Sequence, residues 1–347
     1  MIRPHPASFI GAKLPVMRLP PFRYLAPKSL DEAASMLAEH GPEAMVVAGG
    51  TDLYPNMKRR QQTPKVLIGL RALPELRAVR NGSGTVVGAG LSLAEVADSP
   101  LLGQHYPALA TAAGLVSTPH LRSMGTLGGN LCLDTRCNYY DQSYHWRKSI
   151  DFCMKKDGAI CWVAPGSPRC WAVSSSDCAP VALALGASVR LVSSHGERVI
   201  PAADLFRDDG IAYLTRRPDE ILAELILPPS DGWRSSYQKL RRRGSFDFPI
   251  LGVAAAVREE DGVVAGARLV LGAVGSSPTD VSDKARVLVG QKLTADAIEA
   301  VAESAWRAAR PLDNTDLNYG WRKRMARVYV RRALREIAGL PLAEASR

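Results

Sequence analysis

The sequence lacks a long apolar run and the features of a secreted chain. No stretch approaches the ~20 consecutive apolar residues that a membrane-spanning helix needs, which excludes an integral membrane protein. The N-terminal segment has no unbroken apolar core, so it does not resemble a secretory signal. We expect residues 1–16 to form a loose extension, a first domain to begin at Met17, and the protein to act in the cytoplasm with no membrane partner.

Nothing in the composition indicates disorder, and no internal repeat is present. Of the 347 residues, 46% are hydrophobic and 22% are charged, as in ordinary globular proteins. At roughly 100–200 residues per domain, a chain of this length predicts two or three domains with a sizeable core.

The common nucleotide-binding fingerprints are missing. Gly88-Ala-Gly90 is not followed by the third glycine of a G-x-G-x-x-G run, and no G-x4-G-K-[ST] run occurs. The chain has instead two glycine turns, at 48–53 and 125–130. Either turn alone is typical of an ordinary tight turn, but two in one domain, both followed by polar side chains, favour a pair of phosphate-cradling loops. A dinucleotide would then be held without a Rossmann fold.

Cysteine is absent from most of the chain and concentrated in one stretch. All six thiols lie between Cys132 and Cys178, among many aromatic residues. Without a secretory signal, structural disulfides are a poor explanation, and clustered thiols more often bind a metal or take part in redox chemistry. Their spacing matches neither the C-x2-C pairs of structural zinc sites nor the ferredoxin patterns. An iron–sulfur cluster, a zinc site and uncommitted thiols therefore all remain open from spacing alone.

Acidic residues are outnumbered, with 34 against 44 basic residues and a net charge of +10. This excess permits a nucleic acid, an acidic protein or an anionic ligand as partner. Part of the excess lies in 321–335, where no motif for nucleic-acid binding accompanies it. We expect an amphipathic helix whose basic side faces solvent or another subunit, and no nucleic-acid partner. The basic residues are Arg322, Lys323, Arg324, Arg327, Arg331, Arg332 and Arg335.

Periodicity and turn residues divide the chain near Pro228–Gly232. Before this break, the capping box Ser29–Glu32 begins a helix that ends near Glu39, and Ser92–Glu95 begins another. After the break, antiparallel strands followed by two helices predict a smaller α+β domain. The predicted strands are 44–47, 65–69, 77–80, 85–88, 234–241, 251–258 and 263–273; 179–192 predicts a helix and then a strand, and the late helices are 295–309 and 319–337.

Five stretches together resemble one protein family. They are AGGTDLYPNMK (48–58), STPHLRSMGTLGGNL (117–131), SSDCAPVALALGASVRL (175–191), DEILAELILP (219–228) and RKRMARVYVRRALRE (322–336). These are typical of the FAD-binding medium subunit of the molybdenum hydroxylases, the xanthine dehydrogenase and carbon-monoxide dehydrogenase family. The resemblance covers nearly everything from Met17. It implies an α+β fold, with a two-lobed non-Rossmann FAD-binding domain of the PCMH type at 17–230 and a smaller α+β C-terminal domain at 231–347.

The resemblance also implies which residues hold FAD, and it implies no catalytic residue in this chain. Backbone N–H groups of 46–53 would bind the pyrophosphate, and 126–130 would form a second wall. Asp177 corresponds to an acidic residue near the flavin, Leu222 to a residue lining the isoalloxazine ring, and Lys239 to a basic residue after the domain junction. Core packing of Leu222 and a solvated Lys239 are the alternatives. The implied cofactor-binding residues are Val46, Val47, Ala48, Gly49, Gly50, Thr51, Asp52, Leu53, Thr126, Gly128, Gly129, Asn130, Asp177, Leu222 and Lys239.

One departure from the family pattern concerns the cysteines. In most members GGNL runs within a few residues into the segment that corresponds to Ser174–Asp177, whereas here residues 134–173, the insert, lie between them. The insert is similar to that of the beta subunits of the 4-hydroxybenzoyl-CoA reductases, a branch with an additional [4Fe–4S] cluster, which four thiolates complete. Cys132 and Cys178 lie outside it and are expected to be small buried apolar residues. The implied metal ligands are Cys137, Cys153, Cys161 and Cys170.

The resemblance implies an electron-transfer subunit whose catalytic molybdenum lies on another chain. In this branch reduced ferredoxin supplies electrons, which pass through the [4Fe–4S] cluster and FAD to two [2Fe–2S] clusters on a small subunit. They then reach the molybdenum cofactor of a large subunit, where 4-hydroxybenzoyl-CoA is dehydroxylated to benzoyl-CoA, in a dimer of heterotrimers. The insert has a net charge of +2. As an exposed flap it could steer an acidic ferredoxin, or its charge could be incidental.

Two other interpretations remain open. The first keeps the fold and reverses the electron flow, as the FAD subunit of an oxidative molybdenum hydroxylase acting on another aromatic or heterocyclic substrate; the insert argues against it. The second is a zinc-stapled binding module with a basic helix. It predicts a colourless protein, whereas both flavoprotein hypotheses predict a yellow-brown one.

Overall fold

Three β-sheets with helices packed against them follow one another along the chain in the computed structural model, which describes residues 18–342. The first two sheets belong to two lobes that enclose a cleft, and the third belongs to the C-terminal part. No helix in this part of the chain is long and apolar enough to cross a membrane.

The first lobe is a small parallel sheet covered by one helix. Its elements are β1 (Arg23–Leu25), α1 (Leu30–His40), β2 (Ala44–Val47), α2 (Leu53–Lys58) and β3 (Val66–Gly69). The strand order is β1-β3-β2. As predicted, Ser29 caps α1, because its hydroxyl accepts a hydrogen bond from the Glu32 N–H at 3.1 Å. The apolar face of α1 then packs on the sheet, which places the end of β2 at the cleft.

The second lobe is a five-stranded antiparallel sheet, with its own helices on one face and α1 of the first lobe against the other. The strand order is β4-β5-β8-β6-β7, with α3, α5 and α9 in the shared core. The ranges are β4 (Val79–Asn81), β5 (Thr85–Gly88), α3 (Leu93–Asp98), α4 (Pro100–His105), α5 (Pro107–Gly114), α6 (Pro119–Arg122), α7 (Leu127–Leu131), α8 (Tyr144–Ser149), α9 (Cys178–Ala184), β6 (Ser188–Ser193), β7 (Gly196–Pro201) and β8 (Ile221–Leu227).

The C-terminal part is a four-stranded antiparallel sheet followed by helices, as predicted. The strand order is β12-β11-β10-β9. The elements are β9 (Trp233–Leu240), β10 (Leu251–Glu260), β11 (Val263–Gly272), β12 (Thr279–Asp280), α10 (Ser282–Ala285), α11 (Ala295–Ala305) and α12 (Tyr319–Ile337). The helix predicted over 295–309 ends earlier, at Ala305, and continues as a 3-10 turn over Trp306–Ala308.

The C-terminal sheet is buried on both faces. Val253, Ala255 and Val257 of β10 join the core formed with α11 and α12, while Ala254 between them joins the core of the second lobe. This follows from the two-residue repeat of a strand, which sends neighbouring side chains to opposite faces. The sheet therefore fixes the C-terminal part against α5 and α9 of the second lobe.

The basic helix α12 differs from the expectation at Arg322, which is fully buried and faces neither solvent nor another subunit. Its guanidinium donates hydrogen bonds to the carbonyl oxygens of Leu312 (2.9 Å), Ala273 (2.8 Å) and Ile250 (3.3 Å). Burial lowers the pKa of Arg322 to about 10. The prediction was wrong for this residue because helical spacing shows which residues share a face but not which loops cover that face.

The insert is a packed unit and not an exposed flap. Its base is closed where the backbones of Arg136 and Val173 exchange two hydrogen bonds of 2.8 and 2.7 Å. Lys155 forms a buried ion pair with Asp134, and Arg147 is fully buried. The expectation of a flap with free positive charge was therefore wrong for most of its basic residues, because their charges are used inside the fold.

Candidate functional site

A cleft with a volume of about 290 Å³ lies between the two lobes, and both glycine turns line it. The first turn follows β2 and leads into α2. Gly50 adopts a φ of +69°, which a side chain would strain. The second turn leads into α7, where the Thr126 hydroxyl accepts a hydrogen bond from the Gly129 N–H at 3.1 Å.

The two turns contact each other at the base of the cleft. A Cβ atom at Gly49 would collide with the carbonyl group of Met124, and the Thr51 hydroxyl lies 3.3 Å from where a Cβ of Gly125 would be. The absence of side chains at these positions therefore lets two backbone segments from different lobes meet.

Free backbone donors make the first turn suitable for a phosphate group. Within residues 18–342, the N–H groups of Gly49, Gly50 and Thr51 have no hydrogen-bond acceptor. Successive unpaired N–H groups in a glycine turn bind anions, and a flavin dinucleotide carries a pyrophosphate. The chain at this turn thus fits FAD.

Asp177 lines the cleft, and two residues of the C-terminal sheet hold its carboxylate in place. Its carboxylate accepts hydrogen bonds from the Tyr237 hydroxyl at 2.8 Å and the Lys239 amine at 2.9 Å. Lys239 also donates to the Leu115 carbonyl at 3.0 Å and does not itself line the cleft. Burial raises the pKa of Asp177, and the Lys239 and Tyr237 contacts oppose this rise.

The apolar wall of the cleft comes partly from the C-terminal part. Leu222 of β8 lines it, together with Phe246 and Phe248 from the loop between β9 and β10. The Phe246 N–H donates to the Ser117 carbonyl at 3.0 Å, which ties this loop to the second lobe. The Arg136 guanidinium lies 4.4 Å from the centre of the Phe248 ring. A cleft that is lined by both apolar side chains and free N–H groups suits a flavin ring and its pyrophosphate.

Of the FAD-binding residues implied by the resemblance, all except Lys239 line this cleft. Several residues that were not predicted to bind FAD also reach the cleft. Of those given next, Ser117 belongs to the 117–131 stretch, and the rest lie outside the five stretches of the resemblance. The further lining residues with polar or aromatic side chains include Ser117, Asp134, Tyr213, Arg216, Phe246 and Phe248.

A second, much smaller pocket lies inside the insert. It is lined by all four cysteines of the insert, which are buried and unpaired to one another, with a volume of about 10 Å³. Over residues 18–342, no set of three or more His, Cys, Asp or Glu side chains is placed to hold a metal ion. A single zinc ion needs every sulfur at about 2.3 Å from one point, whereas a four-iron cluster takes one thiolate on each iron and spaces the sulfurs farther apart.

The environment of these thiols disfavours their deprotonated form. Burial raises the pKa of Cys137 to about 12 and that of Cys170 to about 11, and repulsion from the other thiols adds to the rise. Two backbone groups act in the other direction, since Ala172 N–H donates to Cys170 Sγ at 3.4 Å and Tyr139 N–H bonds to Cys137. Buried thiols with N–H donors to sulfur fit the ligand set of an iron–sulfur cluster, whose cations would replace the protons.

The two remaining cysteines lie outside this pocket. Cys178 is fully buried in the core of the second lobe, which confirms it as a small apolar residue. Cys132 differs from the expectation of a buried residue, because it is half-buried: it packs against the same core but also lines the cleft. Burial raises the pKa of both thiols, so neither is a reactive thiolate.

Comparison with known families agrees with this geometry. Residues 20–230 match the family described as the FAD binding domain in molybdopterin dehydrogenase, and residues 235–337 match the CO dehydrogenase flavoprotein C-terminal domain. The chain therefore belongs to the FAD-binding subunits of the molybdopterin dehydrogenases. Its fold is the PCMH-type FAD-binding domain followed by the C-terminal domain, as the resemblance implied.

Known proteins resemble the chain over most of its length. The carbon monoxide dehydrogenase medium chain of Hydrogenophaga pseudoflava is 28% identical over 319 residues, which is 91% of this chain and 96% of the relative. The nicotinate dehydrogenase FAD-subunit of Eubacterium barkeri is 29% identical over 287 residues, or 80% and 83% of the two chains. A solved Hydrogenophaga pseudoflava carbon monoxide dehydrogenase, which lacks the Mo-pyranopterin moiety of its cofactor, has a TM-score of 0.76 at 28% identity, covering 93% of this chain and 99% of that one.

Proposed function

We propose that this chain is an electron-transfer subunit of a molybdenum enzyme that binds FAD in the cleft and a [4Fe–4S] cluster in the insert. The observation that supports the cluster is that four buried cysteines of one insert line a single pocket, next to a wall of the FAD cleft. When bound, FAD would store up to two electrons and exchange them singly with the one-electron cluster, while the protein fixes the positions and surroundings of both groups.

We assign each group to the residues that fit it. The free N–H groups of Gly49, Gly50 and Thr51 would bind the pyrophosphate, and Leu222 would lie against the flavin ring. Lys239 would act on the flavin only through Asp177, which it holds in place. The cluster ligands would be Cys137, Cys153, Cys161 and Cys170. We place the FAD-binding domain at 17–230 and the C-terminal domain at 231–347.

We further propose an enzyme of the 4-hydroxybenzoyl-CoA reductase type, which dehydroxylates 4-hydroxybenzoyl-CoA to benzoyl-CoA. The support is the insert, whose sequence resembles that branch. Reduced ferredoxin would be the donor, a small subunit with two [2Fe–2S] clusters and a large molybdenum subunit would be the partners, and the complex would be a dimer of heterotrimers. We place it in the cytoplasm, where the free cysteines of this chain would stay reduced.

The second candidate is the FAD subunit of an oxidative molybdenum hydroxylase. The names of the relatives favour it, because they include a carbon monoxide dehydrogenase and a nicotinate dehydrogenase. Under this proposal electrons would leave the substrate and the insert would deliver them to an acceptor. The two candidates share the cofactors of this chain and differ in the direction of electron flow.

The deciding experiment uses the complex purified anaerobically with its partner subunits. Reduced ferredoxin and 4-hydroxybenzoyl-CoA should give benzoyl-CoA, and a Cys153→Ser complex should lose this turnover while keeping FAD. A Cys178→Ala complex is the matched control, because that thiol lies in the core outside the pocket, and it should stay active. Oxidation of an aromatic or heterocyclic substrate, with no reduction of 4-hydroxybenzoyl-CoA, would support the second candidate.

A further inference from the structure

A buried ion pair lies in the wall between the two pockets. Lys155 lines the cysteine pocket, and Asp134 lines the FAD cleft. The Lys155 Nζ is 2.8 Å from Asp134 Oδ1, and the two side chains are only 6% and 7% exposed. One residue of the pair thus lines each pocket, and both charges lie in the wall that separates the thiols from the cleft.

Several further contacts hold the two charged groups in place. The Lys155 amine also donates to the Thr135 hydroxyl at 2.8 Å and to the Gly210 carbonyl at 2.6 Å. The Tyr140 hydroxyl donates to the second oxygen of Asp134 at 3.1 Å. Lys155 Nζ also lies over the rings of Tyr140 and Tyr213, at 4.8 and 5.4 Å from their centres. These contacts fix the positions of both side chains.

Stability alone does not explain such a pair. The cost of removing two charges from water often exceeds their attraction, so apolar residues of similar volume stabilise a fold as well or better. A buried pair between two cofactor pockets does have an electrostatic effect on both, because charges act strongly where water is excluded.

We infer that the Lys155–Asp134 pair sets the reduction potentials of the two redox centres, an inference that rests on the proposed function. Lys155 stabilises the additional negative charge of a reduced cluster and so raises its potential. Asp134 disfavours negative charge on a reduced flavin and so lowers the flavin potential. The pair therefore shifts the potentials of the two centres in opposite directions. Lys155 and Asp134 thus act on the redox centres through their charges, and they are not catalytic residues.

The test is a redox titration of the full chain reconstituted with FAD, iron and sulfide. The cluster is followed by EPR in the wild type, in Lys155→Gln and in Lys155→Arg. We expect the Lys155→Gln substitution to shift the ratio of reduced to oxidised cluster at least tenfold toward the oxidised form, about 59 mV for one electron. Lys155→Arg keeps the charge and should restore most of the potential, which a purely structural role would not predict.

Lys156→Gln is the matched control, since this neighbour is 37% exposed and water screens its charge. A Lys155→Gln shift no larger than that of Lys156→Gln, in protein that retains its iron, would overturn the inference and leave the proposed function intact. If Lys155→Gln does not retain iron, Asp134→Asn decides: its unpaired Lys155 should raise both potentials, and unchanged potentials would overturn the inference. Wild-type protein that binds FAD but no iron would remove the proposed function itself.

Discussion

Single glycines allow close packing beside the FAD cleft and beside the cysteine pocket. Gly49 lets the two lobes meet at the base of the FAD cleft, because any side chain there would collide with the backbone of Met124. Gly210 allows a similarly close contact beside the cysteine pocket, because a Cβ there would lie 2.7 Å from both Cys170 Sγ and the Ala172 nitrogen. Both positions are crowded by backbone that has no freedom to move away.

The Gly49→Ala substitution should weaken FAD binding at least tenfold. The added methyl group pushes the first turn away from the second and disturbs the free N–H groups beside it. Gly103→Ala is the control, because a Cβ at this exposed helical position would contact nothing within 4 Å. Flavin fluorescence titration of the apoprotein measures both, and equal affinities would contradict the role of the first turn.

The Gly210→Ala substitution should reduce the iron content of the reconstituted protein while FAD binding persists. The new methyl group displaces the Cys170 sulfur, whereas the first glycine turn lies in another part of the fold. The control is Gly166→Ala, which lies between Cys161 and Cys170 in the sequence but has open space around its Cβ, and this variant should keep its iron. Iron analysis per bound FAD checks this, and full iron in the Gly210→Ala protein would refute it.

The residues that line the cleft could be predicted where they belong to a motif. Gly49, Thr126 and Leu222 were identified because the resemblance carries them in contiguous stretches. Phe248 and Tyr213 were not, because each reaches the cleft through a loop whose path depends on packing between distant parts of the chain. Local sequence holds no signal for such contacts.

At the scale of elements, α12 is fixed to the rest of the C-terminal part by arginines used in two different ways. The Arg322 guanidinium donates hydrogen bonds to carbonyl oxygens inside the core, while Arg327 and Arg331 form ion pairs with Glu299 of α11. The boundaries of this helix were predicted correctly from its apolar spacing. The distinct roles of its arginines were not, because only the folded neighbours separate a buried cation from a surface one.

Arg322→Met should lower the free energy of unfolding by about 3 kcal/mol, since it leaves buried carbonyl oxygens without their donor. The control is Arg324→Met on the same helix, where the side chain is exposed and the change should be within about 0.5 kcal/mol. Urea denaturation followed by circular dichroism measures both. Equal stability of the two variants would show that the buried guanidinium is not an anchor.

The Glu299 contacts predict a pH dependence. Hydrogen bonds from Arg331 and Arg327, against a smaller opposing effect of burial, lower the pKa of Glu299 to about 2 from its usual 4.5. A carboxylate whose pKa is lowered by folding stabilises the fold at pH values above its pKa in the unfolded chain. The contribution is therefore present at pH 7 and fades as the pH falls from 4.5 toward 2. It is at most about 1 kcal/mol, because the side chains are partly exposed.

Glu299→Gln should therefore be less stable than the wild type at pH 7, and the difference should shrink by pH 3. Urea denaturation at the two pH values supplies the comparison. A difference that is the same at both would mean that the ion pairs do not set the pKa of Glu299.

At the scale of the whole molecule, the insert and the C-terminal part both close on the FAD cleft. The loop between β9 and β10 supplies Phe246 and Phe248, and the insert supplies Asp134. Arg136 connects the two, because it lies against Phe248 and pairs with Asp52 of the first turn. The sequence indicated an insert with four cysteines, but its compactness and its contact with the cleft follow from tertiary packing.

The central claim is that the thiols of the insert bind a four-iron cluster next to FAD, and the most direct measurement is iron and acid-labile sulfide per FAD in the full chain, reconstituted anaerobically. We predict about four of each per FAD in the wild type and in Cys178→Ala, and a large loss in Cys153→Ala. A yellow protein that holds FAD with no iron, or a Cys153→Ala protein with undiminished iron, would contradict the claim.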